Sequence, residues 1–187
     1  MYRDQAGRSW ISKAAIYVLS SSGAGLASGA VLGAAGTLLP IELRVAVGSI
    51  LALAAIAVGG LELFGRHVQP LQFDCETPQR WINRGPLRWA TRNGLALGFG
   101  ATSRIGFWLW YVVPLGSFLV GDVRLGAIVY GTYGLTRSLA AVFILLGTLW
   151  YETDASDWLM ERYGQARTLA AGQLVFLGVA TAVVVGI

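Results

Sequence analysis

Residues 125–150 read LGAIVYGTYGLTRSLAAVFILLGTLW, an apolar run broken by one charge, Arg137. A helix needs about 20 mostly apolar residues to cross the hydrocarbon of a bilayer, so this stretch predicts a membrane-spanning helix. A guanidinium stays charged in proteins. Placed centrally in a span it costs about 2.5–3.5 kcal/mol on insertion scales. Upstream, GATSRIGFWLW at 100–110 repeats the anomaly with Arg104. The fold is therefore read from the apolar runs, and the function from what accompanies two arginines.

Four more runs of spanning length surround residues 125–150, at about 14–39, 43–64, 95–120 and 168–187. The chain has 187 residues, 55% hydrophobic and 13% charged, with 25 glycines; its mean hydropathy is +0.60. A soluble fold would have to bury several helices that are apolar on every side, which so short a chain cannot do. The reading is all-α: a single polytopic transmembrane bundle, 1–187, of about five spans. The first apolar run is too long for a cleavable signal and reads as the first span.

The basic residues flank the runs instead of forming one patch. The net charge of +4 and pI near 9.6 thus speak for membrane orientation, not nucleic acid. Arg3, Arg8 and Lys13 precede span one, Arg66, Arg80, Arg84, Arg88 and Arg92 follow span two, and Arg162 and Arg167 precede span five. The other side has Arg44 and Arg124. The positive-inside rule puts the N-terminus in the cytoplasm and the C-terminus outside, with a bacterial cytoplasmic membrane as the expected location. Loops 65–94 and 151–167 are then cytoplasmic. The first carries Trp81 and Trp89 among arginines and suits the headgroup level, or a cytoplasmic partner. The second suggests a short interfacial helix capped by Asp154 or Ser156, with Trp158 and Leu159 in lipid.

Gly25, Gly29 and Gly33 recur every four residues and share one face of span one, where a second backbone can approach closely. A packing face inside the bundle is expected before a seam between two copies. Cys75 is the lone cysteine and His67 the lone histidine, which excludes an internal disulfide and a His-rich metal site. Asp74, Cys75, Glu76 and His67 share one loop without a recognisable spacing, and no cofactor is assigned.

Tyr130, Tyr133 and Arg137 stand at i, i+3 and i+7 on one helical face; Arg104, Phe107, Trp108 and Tyr111 form a similar stripe in the preceding span. With only GDVR joining these spans, the arginines are expected to face each other near the midplane, beside Thr102 and Ser103. Glu62, an acid inside a span, is the expected partner of Arg104. The candidate ligand-binding set is Arg104, Arg137, Thr102, Ser103, Trp108, Tyr111, Tyr130, Tyr133 and Glu62. Two uses remain open: an internal network that fixes helix register, or a site for an anionic ligand or headgroup held by bidentate bonds.

NGLALGFGATSRIG (93–106) followed by VRLGAIVYGTYGLTRSL (123–139) resembles a repeat of the cytochrome-c-biogenesis, DsbD-type thiol–disulfide membrane transporters, over about residues 94–139. The resemblance rests on Gly98, Gly100, Thr102, Gly106, Gly126, Ala127, Tyr133, Gly134 and Leu135. It implies a helical bundle of that shape. Ser103 and Arg104 stand where the family has its Pro-Cys pair, so its two-cysteine relay is not implied here.

Three function classes follow. The first is an accessory subunit or scaffold of a larger membrane complex, with the bilayer, copies of itself or other membrane subunits as partners. The second is a small transporter of an anionic substrate. A membrane enzyme is the third, disfavoured because no HExxH, P-loop or paired intramembrane carboxylates occur.

Overall fold

The computed structural model describes residues 2–70, 85–100, 107–151 and 155–185. They form α1 (Tyr2–Thr37), α2 (Ile41–Leu63), α3 (Pro86–Phe99), a 3-10 turn (Trp108–Tyr111), α4 (Val112–Val120), α5 (Val123–Tyr151) and α6 (Ala155–Val185). No strand occurs among the described residues. Trp10–Thr37, Ile41–Leu63, Val123–Gly147 and Arg162–Val183 are each long and apolar enough to cross a membrane, the second having a mean hydropathy of 2.1. The protein is thus an all-helical chain with four helices of membrane-spanning character.

Its large and small residues are distributed as lipid, not water, would dictate. Leu19, Val31, Ile50, Phe143, Phe176 and Val183 point outward, while the interior is made mostly of Ala24, Ala52, Ala90, Ala96, Ala170 and Ala171 with three buried serines. In hydrocarbon a leucine gains little by leaving the lipid, so helices associate through close contact of small residues and interhelical hydrogen bonds.

The centre of that packing is α1. A side chain added at Gly25, Gly29 or Gly33 would collide with the backbone at Tyr130 or Gly126 of α5, or at Asp122 just before it. The numbers fall on α5 as they rise on α1, so the two helices are antiparallel. On another face of α1, Gly94 of α3 lies against Tyr17 and Ser20, and Gly98 against Ser21 and Ala24; here the numbers rise together, and α3 runs parallel to α1. The glycine face is therefore a seam inside the bundle, as expected. A second antiparallel pair is α2 with α6, where Gly59 meets Ala171 and Val175, and Gly178 meets Ala52 and Ile56. The segment 108–120 stands between the two groups, with Phe118 against Gly36 of α1 and Leu115 and Leu119 beside α2.

Three expected boundaries are corrected. The run 95–120 is not one helix: α3 starts at Pro86 and ends at Phe99, where Gly100 turns left-handed (φ 71°). The chain is extended at Phe107 (φ −141°, ψ 143°) before the 3-10 turn. Pro114 is not the cause, since it falls in the first turn of α4, where backbone N–H groups lack helical partners anyway. Loop 65–94 ends early, because residues 86–94 belong to α3, including Arg88 and Trp89. Loop 151–167 is largely helix: residues 155–167 continue without interruption into the apolar part of α6, so Ser156 lies within the helix. Trp81, Arg80, Arg84 and Asp154 lie outside the described residues.

Candidate functional site

The three-residue and four-residue steps from Tyr130 to Tyr133 to Arg137 fall within one unbroken helix, α5, and the face they share is turned toward α1 and α3. Tyr130 is 2% exposed. Its hydroxyl donates to the Phe99 carbonyl at the end of α3 (3.4 Å), an acceptor left over where that helix stops. The rings of Tyr130 and Tyr133 meet edge to face, 5.9 Å apart at 81°, a favourable aromatic geometry.

Arg137 is half-buried. Its Nη1 donates to the Tyr133 hydroxyl at 3.2 Å, and its Cζ lies 5.8 Å from the centroid of the same ring. That distance is near the outer limit of a cation–π contact, about 6 Å, so the hydrogen bond is the better-formed interaction. No carboxylate pairs with Arg137 among the described residues.

One turn away, Ser21 of α1 donates to the Gly134 carbonyl at 3.0 Å, and Ser138 donates to the same carbonyl at 2.8 Å. The glycine at 134 makes this possible, for a side chain there would strike the Ser21 backbone. Arg137 is thus held on a closely packed pair of helices, with Tyr133 beside it.

Of the other expected members, the described ones make contacts elsewhere. Thr102, Ser103 and Arg104 lie outside the described residues, as do Asp74, Cys75 and Glu76. Glu62 is committed elsewhere: its Oε1 accepts from Arg167 Nη2 of α6 at 3.0 Å, with the Glu62 side chain 3% exposed and that of Arg167 20% exposed. Arg167, expected in a loop, sits inside α6 because that helix starts twelve residues earlier, which brings its guanidinium to the end of α2. Of the expected stripe, Arg104 lies outside the described residues, and Phe107, being extended, does not continue the helical face of Trp108 and Tyr111. Phe107 stacks on Tyr163 of α6 at 5.6 Å. Trp108 donates through Nε1 to the Val68 carbonyl at 2.9 Å, and with Tyr111 it lines a groove against α2 and α6.

Four residues outside the expected set carry much of this arrangement: Tyr17, Ser21, Arg44 and Arg167. Ser21 had a signal in the small-residue run SSSGAG (20–25). Arg44 and Arg167 looked like boundary charges that set orientation.

No protein-family model, curated protein or solved structure matches the chain. The geometry alone therefore carries the functional reading. It offers a cation bonded to a tyrosine, and the described residues contain no group of acids, histidines and cysteines arranged to hold a metal ion.

Proposed function

We propose that the protein is an integral membrane accessory subunit or scaffold, and that Arg137 provides the counter-charge for an anionic group brought by a partner, ligand or lipid. The observation that carries this reading is the pairing of Arg137 with the Tyr133 hydroxyl, with no carboxylate beside it among the described residues. A phenol hydroxyl satisfies one donor of a five-donor guanidinium without neutralising it. An intramembrane charge left in that state marks a functional position by default. Scaffolding is favoured over conduction by the glycine seam, where α1 meets α5 with backbone against backbone. In this reading five crossings run in alternation, with α3 and α4 sharing the third, the N-terminus cytoplasmic and a bacterial cytoplasmic membrane as the location.

The test is Arg137→Gln beside Arg137→Lys in the native membrane. The Gln variant should keep the fold and lose the companion that co-purifies with the parent chain; the Lys variant should keep part of it. Unchanged association in both would refute the assignment.

One observation favours transport of an anionic substrate as a second reading. The third apolar segment is built from two helices with a left-handed residue and an extended residue between them, and interrupted helices often carry substrate sites in transporters. Uptake of labelled anions by proteoliposomes, abolished by Arg137→Gln, would support it; no uptake of any anion tested would dismiss it.

A further inference from the structure

Between α2, the 108–120 segment and α6 runs a laterally open apolar groove of about 580 Å³, well within the range of about 300–1,000 Å³ typical of ligand sites. Along α2 it extends from Ile41 to Val58, about 25 Å at the helical rise of about 1.5 Å per residue. Its depth comes from residues with little or no side chain, Gly48, Ala52, Ala55 and Gly116 among them. The walls are almost wholly apolar, with Trp108 and Tyr111 among them.

At the Ile41 end stands one charge, Arg44. Its Nη1 donates to the Val120 carbonyl at 2.8 Å, at the C-terminus of α4, where a positive charge meets the negative end of the helix dipole. The following residue, Gly121, is left-handed (φ 58°) and packs directly on the guanidinium, leaving no room for a side chain. The Nε of Arg44 is buried and has no hydrogen-bond acceptor among the described residues. The guanidinium is therefore held in one place by the protein; its buried Nε is closed to a ligand, and the bond to Val120 uses one of its five N–H donors.

We infer that the groove is a site for an anionic glycerophospholipid, one acyl chain lying along α2 and the phosphate on Arg44. Each half of the site fits one half of that molecule. A dry apolar slot gives an acyl chain continuous contact, and a fixed guanidinium gives a phosphate charge-assisted, bidentate bonds. Any lipid tail can fill the slot; Arg44 is what selects an anionic headgroup.

The test uses the purified full chain in detergent, with thermal unfolding and native mass spectrometry read against added phosphatidylglycerol, phosphatidylcholine and inorganic phosphate. Phosphatidylglycerol should raise the Tm, with an affinity about tenfold above that of phosphatidylcholine, and phosphate alone should do nothing. Arg44→Gln should erase the preference between the two lipids. Because that variant also loses the bond to Val120, the combined variant Gly48→Leu/Gly116→Leu provides an independent arm. A Cβ at Gly116 meets nothing within 4 Å, and one at Gly48 meets only Leu119 at 3.9 Å, so each position admits a side chain that grows into the slot. This variant should fold normally and lose both lipids. Equal affinity for the two lipids in the parent chain, a preference that survives Arg44→Gln, or retention of lipid by the filled variant would each overturn the inference.

Discussion

Ser21 and Gly134 join α1 to α5 through a hydrogen bond from the Ser21 Oγ to the Gly134 carbonyl, 3.0 Å long and buried. The same carbonyl also accepts from Ser138, so it is doubly bonded at a place from which water is excluded. Interhelical bonds of this kind are worth about 0.6 kcal/mol on average in a membrane. Ser21→Ala should cost about that much, read as a small drop in Tm in detergent. A loss several times larger would mean that Ser21 does more than tie the two helices.

The approach of α1 to α5 sets a harsher test at Gly29. A side chain there would run into the Gly126 backbone, which cannot move aside as a flexible side chain would. Gly29→Val should cost about 2–3 kcal/mol, seen as a lowered unfolding midpoint. Gly23→Val, on the same helix but facing open space, should cost little. Equal effects at the two positions would contradict the packing described for α1.

Glu62 and Arg167 tie the end of α2 to the interior of α6. Removing one member of a buried pair leaves an uncompensated charge, and about 3–5 kcal/mol is the usual cost. Arg167→Met should be strongly destabilising. The double variant Glu62→Leu/Arg167→Met should recover most of the loss, since apolar replacements of buried pairs are often neutral. Additive losses in denaturant unfolding would show that the two side chains act independently.

Tyr133 holds the Arg137 guanidinium through its hydroxyl. Tyr133→Phe removes that acceptor and keeps the ring, so it should lower stability by about 1 kcal/mol and weaken any anion-dependent association without abolishing it. Binding of the co-purifying partner, compared across Tyr133→Phe, Arg137→Lys and Arg137→Gln, should fall in that order. A Tyr133→Phe loss as complete as that of Arg137→Gln would place the tyrosine in the contact itself.

Much of this architecture could be read from residue order, because hydropathy reports directly on what lipid tolerates. The apolar runs at 43–64 and 125–150 mark α2 and α5, and the spacing of Gly25, Gly29 and Gly33 marks the seam. The break in the run 95–120 could not be read, since hydropathy is blind to backbone conformation: Gly100 and Phe107 are as apolar as a continuous helix would require, yet one is left-handed and the other extended. Pro114 offered a misleading cue, being tolerated in the first turn of α4. Of the candidate site, Tyr130, Tyr133 and Arg137 come together because helical periodicity alone places them. Glu62, Trp108 and Tyr111 do not join them, because their neighbours are decided by how α2, α6 and 108–120 stack. The groove ending at Arg44 is likewise a product of three helices distant in sequence.

The most direct measurement of the proposed role is the mass and composition of the particle released when the tagged full chain is extracted gently from its native membrane. A particle containing a second protein in fixed ratio to this 19.9 kDa chain, lost in Arg137→Gln, is the predicted result. A lone chain that behaves identically with and without Arg137 would contradict the account.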